Sequence, residues 1–287
     1  MTTNDSPTIT RRATRTGIPP LGHYLSEAFR YRTFAIYWSK ADIKARNFET
    51  VLGRLWHFLN PFLFGVIYFI FVGIISGGGL NDTERLAFIV ANLYVWTYFS
   101  TIITTGVGSV QSGGGGLTGQ SAIPRVVLPF ASMLTAGNLF LRSLIAYVPL
   151  HVIAQRGLHW EMLWLPVLLL VTGMFGLGIA LLLAVGNVYF RDVSRLLPHF
   201  LRLWLYLSPA IWAYTRLIGD GTLETLAQLN PMYWGMTAWT IGFGGQLSAE
   251  GPSMTTTMLV FTGWAVAALV VGFLTFVSRE DEFAIRN

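Results

Sequence analysis

Cysteine is absent from the chain, which excludes disulfides, thiolate metal sites and cysteine nucleophiles together. Charge is nearly as scarce. Asp, Glu, Lys and Arg make up 11% of the residues, against roughly 25% in an ordinary soluble domain. Lysine is reduced to Lys40 and Lys44, preceded by serine and isoleucine. A phosphate-cradling G-x-x-x-x-G-K-[ST] loop needs glycine before its lysine, so ATP hydrolysis by that route is excluded. The glycine run Gly113 to Gly116 lacks such a lysine and a preceding strand, and reads as a flexible turn.

What is abundant is apolar: 53% of the residues are hydrophobic, and almost everything after position 54 belongs to an apolar run or a short connection. Six stretches are long enough to span about 30 Å of hydrocarbon at about 1.5 Å per residue. They fall near 55–76, 86–110, 130–155, 162–186, 199–216 and 254–278, the fifth being the shortest. The expected fold is all-α and integral to the membrane. None of the six contains Asp or Glu, and His57 and His151 lie only near span ends. Ion-coupled carriers place such groups inside their spans as relays, so ion coupling is disfavoured and both histidines read as interfacial hydrogen-bonding groups.

The basic residues set the orientation. Fifteen arginines and lysines fall on the side of the termini and three, Arg85, Arg156 and Arg216, on the other, with Arg142 inside the third span. Both termini are therefore expected in the cytosol. Residues 1–20 are polar and basic with no apolar core directly behind them, so they read as a disordered cytosolic tail rather than a secretory signal. In the 21–54 region Leu21, Tyr24, Leu25, Ala28 and Phe29 recur at helical spacing, followed by Phe34, Ile36, Tyr37 and Trp38 among basic residues. That pattern predicts a helix along the cytosolic face, serving as a membrane anchor or also as a platform for a partner. The external connection 217–253 holds two short amphipathic pieces broken at Asn230-Pro231, each too short to cross. They are expected to dip back into the outer leaflet. Residues 279–287 form a second cytosolic tail.

Between the fourth and fifth spans, Asn187 to Pro198 reads N-V-Y-F-R-D-V-S-R-L-L-P. A charged break there must face water, and it offers a handle to a soluble partner. In the first external loop Asp82 and Glu84 are the acids of N-D-T-E-R. They admit an alternative, a membrane-embedded glycosyltransferase using them as a base or metal ligands, although an ordinary solvated loop has the same look.

Three segments carry a resemblance: K-A-D-I-K-A-R-N-F-E-T-V-L-G-R-L-W-H-F-L-N-P before the first span, I-P-R-V-V-L-P-F-A-S-M-L before the third, and N-V-Y-F-R-D-V followed by L-S-P-A-I-W and L-N-P-M-Y-W. From about residue 37 to its end the chain resembles the membrane permease subunits of ABC type-2 polysaccharide exporters, including O-antigen and teichoic-acid exporters. Within that family it is most similar to permeases for actinobacterial cell-wall galactan. The resemblance implies a homodimer of six-span subunits in the cytoplasmic membrane, with two separate ATP-binding subunits beneath. The chain itself would be no enzyme and hold no cofactor, while ATP and Mg would be bound by the partner subunit. The cargo would be a polyprenyl-pyrophosphate-linked polysaccharide. ATPase motion would arrive through Lys40, Lys44, Arg46, Tyr189, Phe190, Arg191, Asp192 and Arg195. Arg191 and Asp192 would pair across a subunit contact or cap their own helix.

Candidate cargo contacts are aromatic, because sugar C–H faces stack on rings and sugar hydroxyls pair with tyrosine, serine and threonine. Tyr94, Trp96, Tyr98 and Phe99 cluster in the second span, and Trp204 and Tyr206 in the fifth. Such residues also populate interfacial belts, so a glycan conduit and a belt both remain open. Arg46, Arg54 and Arg125 are placed to meet a pyrophosphate at the cytosolic entrance, or simply follow the positive-inside rule. Arg142 faces a polar interior, snorkels, or meets a second subunit. An ABC drug or lipid exporter, which needs no aromatic conduit, and a non-transporting scaffold for wall-synthesis enzymes are further readings. Gly173, Gly176 and Gly178 of the fourth span would permit close helix packing.

Overall fold

The structure is a computed structural model and describes residues 20–46, 53–76, 82–114, 123–210, 212, 221–245 and 251–283. All regular structure among them is helical. The first tail, up to residue 19, the last residues from 284 onward, and Arg216 lie outside the described residues, as do the side chains of Arg46 and Arg54.

The surface element predicted before the first span is two helices, α1 (Leu21–Arg30) and α2 (Arg32–Arg46). Tyr24 and Ala35 are buried in the protein while Leu25, Phe29, Ile36 and Tyr37 are exposed, so the pair is docked on one face and apolar on another. Helix α3 (Trp56–Ser76) packs along α4 (Thr83–Gly114). At 32 residues, α4 is about 48 Å long and overshoots the ~30 Å hydrocarbon core. It is the central element. Its residues are apolar on nearly every side, and its flanks meet α5 (Val127–Ile153), α6 (Leu165–Tyr189) and α3.

Four described segments are long and apolar enough to cross a bilayer: Thr83–Gln111, Val127–Ile153, Trp160–Tyr189 and Met254–Arg279, the last being helix α10. In α3 the shorter apolar stretch is Leu59–Phe71. The fifth expected span is drawn differently. Helix α7 runs Asp192–Leu207, 16 residues and about 24 Å, so the charged connection and the expected span are one helix that starts earlier and stops earlier than 199–216. Pro198 sits inside it, although proline removes a backbone donor. The helix is amphipathic: Leu197, Leu201 and Leu205 are buried on one face, while Arg195, His199 and Arg202 are exposed on another, with Phe200 and Leu203 exposed beside them. Hydropathy alone therefore misplaced its bounds.

The two short pieces expected in the 217–253 connection are α8 (Gly221–Gln228) and α9 (Pro231–Gly242), separated at Asn230 as the sequence predicts. Asn230 caps α9 by accepting the Met232 N–H at 3.0 Å, with Pro231 at the first helical position. Most of α9 is buried against α10, α4 and α6.

The glycines of α6 divide by neighbour. A Cβ at Gly173 would meet the Tyr98 hydroxyl, one at Gly176 would meet Ile102, and one at Gly178 would collide with the backbone of Ala268 in α10. The close packing read from the sequence is therefore present at the α6–α10 crossing, where Gly272 faces Gly178.

Candidate functional site: an aromatic and hydroxyl-lined groove with a charged coupling turn

An open groove of about 550 Å³ runs between α3, α4 and α7. Phe64 and Tyr68 form its α3 wall, Trp96, Thr97, Ser100 and Thr104 its α4 wall, and Arg202 and Tyr206 its α7 wall. The Tyr68 and Tyr206 hydroxyls bridge the walls at 2.9 Å. Thr97, Ser100 and Thr104 each donate to a carbonyl of their own helix, at 2.7, 3.3 and 2.9 Å. Their donors are thus spent internally while oxygen lone pairs remain to accept from a ligand. Beside them are two tyrosine hydroxyls, a guanidinium with several donors, and the Trp96 ring. These are groups that pair with sugar hydroxyls and stack on sugar faces.

Beyond Tyr206 lies a second open cleft of about 510 Å³, lined by Trp204, Tyr206, Trp212, Leu226 and Asn230. Tyr206 belongs to both. Asn230, at the edge of this second cleft, joins the L-S-P and L-N-P motifs. Its Nδ2 donates to the Leu207 carbonyl at 3.1 Å and to Ser208 Oγ at 3.0 Å. Its Oδ1 accepts from Trp204 Nε1 at 2.8 Å and from the Met232 N–H at 3.0 Å. One side chain thereby fixes the end of α7, the start of α9 and the Trp204 ring in the last turn of α7.

The six aromatic residues singled out as conduit candidates are not gathered in one place. Trp96 and Tyr206 line the groove. Tyr94 and Tyr98, one helical turn apart, point toward α5 and line a separate pocket of about 90 Å³. Phe99 is fully buried, stacked on Phe175 at 5.4 Å, and meets the Trp204 edge at 5.3 Å. Arg142 is exposed on α5 beside Leu141 and Ile145, which are exposed too. Tyr68, Thr97, Ser100, Thr104 and Arg202 were missed. The recurrence of hydroxyls at 97, 100, 101 and 104 in an otherwise apolar span was the available signal.

The coupling candidates also divide. Tyr189, Phe190, Arg191, Asp192 and Arg195 fall together around the α6–α7 turn, where Phe190 is 72% exposed. Asp192 lies 3.6 Å from Arg195 on its own first turn rather than facing Arg191, whose side chain makes no cap bond. Behind the turn, Asn187 is fully buried, accepting the Ser194 N–H at 3.1 Å and donating to the Val107 carbonyl at 3.4 Å. Gln111 donates to the Asn187 carbonyl at 2.9 Å. The turn is thus tied directly to α4. Lys40 lies elsewhere, lining a groove with Ser39, Gly137, Asn138 and Leu141, and Lys44 is exposed on the same helix α2.

Of the entrance candidates, Arg125 places its guanidinium 5.9 Å over the Phe283 ring. Its backbone N–H donates to Glu280 at 2.6 Å. The other Glu280 oxygen accepts from Tyr24 at 2.5 Å. Burial and the Glu280 carboxylate push the Tyr24 phenol above its ordinary range, so it remains a protonated donor across neutral pH.

The acids of the N-D-T-E-R stretch, at the start of α4, are engaged structurally. Asp82 caps α4 by accepting the Arg85 N–H at 2.8 Å, and Glu84 lies 3.9 Å from Arg156. No cluster of three His, Asp or Glu suited to a metal occurs among the described residues.

The helical architecture and its apolar spans define a multi-pass membrane protein. The chain belongs to the ABC-2 type transporter family, whose model matches residues 36–243. It is 27% identical over 260 residues to the O-antigen export system permease protein RfbA of Myxococcus xanthus, covering 90% of this chain and 96% of that protein. It is also 27% identical over 247 residues to an O-antigen export system permease protein RfbA of Klebsiella pneumoniae, covering 85% and 90%.

Proposed function

We propose that this chain is the permease subunit of an ATP-driven exporter that carries a polyprenyl-pyrophosphate-linked polysaccharide out across the cytoplasmic membrane. The cargo is a galactan or an O-antigen-like polymer. Two copies of the chain assemble with two ATPase subunits, which bind ATP and Mg. Within each copy α3 and α7 bring the crossings to six, and α8 and α9 dip into the outer leaflet. Both termini lie in the cytosol.

The observation that carries this reading is the groove, with Trp96, the two bridged tyrosines and a ladder of hydroxyl acceptors continuing past Tyr206 into the outer cleft. A polysaccharide advances through such a path by exchanging stacking and hydrogen-bond partners of similar strength. ATP binding closes the ATPase pair, the turn at 190–195 moves, and α7 shifts with it relative to α3 and α4, so the groove opens. Hydrolysis resets it. Arg46, Arg54 and Arg125 meet the pyrophosphate at the cytosolic mouth.

Changing Trp96 and Tyr206 to leucine keeps the wall apolar but removes the stacking face and a hydroxyl. Aromatic contacts are worth about 0.5–1.5 kcal/mol each, so the double variant should slow glycan translocation in vesicles roughly tenfold. Undiminished glycan translocation by this variant would remove the groove from the path. Export of a small amphiphile at the wild-type rate together with no glycan export by the wild type would indicate a drug or lipid exporter.

A further inference from the structure

Beyond α10, the chain turns back through Glu280–Glu282, and Phe283 is fully buried against Phe276 at a ring separation of 5.1 Å. That anchor holds two carboxylates in fixed places. Glu280 uses one oxygen for the Tyr24 hydroxyl of α1, at 2.5 Å, and the other for the Arg125 N–H just ahead of α5, at 2.6 Å. Glu282 accepts from the Tyr189 hydroxyl and, at 2.8 Å, from Arg279. Tyr189 is the last residue of α6 and precedes the exposed Phe190–Arg191–Asp192 turn. Three segments far apart in sequence thus converge on Glu280 and Glu282.

We propose that this acidic knuckle is a clasp in which Glu280 and Glu282 are positioning residues, making α1 and the 190–195 turn move as one body. The inference rests on the exporter reading for what drives the motion. Hydrogen bonds to carboxylates are short and directional, and those on Glu280 and Glu282 reach different segments, α1 and the start of α5 for Glu280 and the end of α6 for Glu282. A displacement of the turn therefore drags Tyr189, the knuckle and Tyr24 together. Without the clasp, the turn would move α7 and α4 through Asn187 while α1 stayed behind. A permease whose surface helix lags would hydrolyse ATP in its complex and move less cargo for each cycle.

The test uses the full chain, which has no native cysteine to interfere with labelling. Spin labels go on cysteines replacing Phe29 and Leu196, both exposed. In nanodiscs the parent should give a narrow distance distribution. Tyr24→Phe and Glu280→Gln should each broaden it, and the two together should broaden it no further, since they cut the same link. In the complex with its ATPase subunit, the glycan moved per ATP hydrolysed should fall about fivefold, the low end of typical coupling between sites. An unchanged distribution, or an unchanged ratio of glycan to ATP with only a lower melting temperature, overturns the clasp. If the parent complex moves no glycan, the exporter reading fails, and the distance measurement on this chain alone still decides whether the clasp exists.

Discussion

Asn230→Ala is expected to abolish export and to lower thermal stability more than any other single polar substitution outside the core. The side chain makes four hydrogen bonds, two as donor to Leu207 and Ser208 and two as acceptor from Trp204 and Met232. A net hydrogen bond contributes about 0.5–1.5 kcal/mol, and leaving buried partners unsatisfied costs more. Losing the set should cost about 3 kcal/mol or more. The functional loss should exceed what stability explains, because Trp204 would lose its fixed orientation at the wall of the outer cleft. Ser208→Ala provides the graded comparison. It removes one of the four contacts and should cost about 1 kcal/mol, with export reduced but measurable. Thermal unfolding in detergent followed by tryptophan fluorescence, beside vesicle transport, reads both effects. Equal melting temperatures for Asn230→Ala and the parent would contradict the assignment.

The second large effect belongs to the α6–α10 crossing. A Cβ on Gly272 would collide with the Gly178 carbonyl oxygen, and one on Gly178 would collide with the backbone of Ala268 and Leu269. Neither obstacle is a side chain that can rotate away. The helices must separate, and every contact along their shared length loosens with them. Overpacking typically costs about 1–3 kcal/mol, occasionally more, and a contact with backbone on the far side belongs at the upper end. Gly272→Ala should therefore lower stability by about 3 kcal/mol and reduce the yield of folded protein, with Gly272→Val worse. Gly263 lies on the same helix, and a Cβ there would meet nothing within 4 Å, so Gly263→Ala should be neutral or slightly stabilising. If both alanine variants melt alike, the close crossing is wrong.

Four of the six expected spans, Thr83–Gln111, Val127–Ile153, Trp160–Tyr189 and Met254–Arg279, were legible because an apolar run of about 20 residues has few other uses. The break at Asn230-Pro231 was legible because a capping side chain followed by proline is a local helix start. Helix α7 was not. It sets buried Leu197, Leu201 and Leu205 on one face and exposed Arg195, His199 and Arg202 on another, a contrast that a hydropathy window averages away. Aromatic candidates could be found but not sorted. Helix α4 is enclosed by neighbours, so Tyr94, Trp96, Tyr98 and Phe99 leave it in different directions, and no apolar face marks which direction leads to a groove. The knuckle was invisible for another reason. Tyr24 and Glu280 are separated by 256 positions, and a carboxylate near a chain end carries no mark of what it will meet. The Asp82 and Glu84 alternative shows the same limit from the other side, since an acid that caps a helix and an acid that does chemistry are the same letter.

The exporter reading is tested most directly by reconstituting this chain with its ATPase subunit in vesicles and following lipid-linked polysaccharide across the membrane, with and without ATP. The account predicts that polymer of unchanged length appears on the far side only when ATP is hydrolysed, and that Asp82→Asn and Glu84→Gln leave the rate alone. Polymer that lengthens without ATP, and stops lengthening when either acid is replaced, would contradict it.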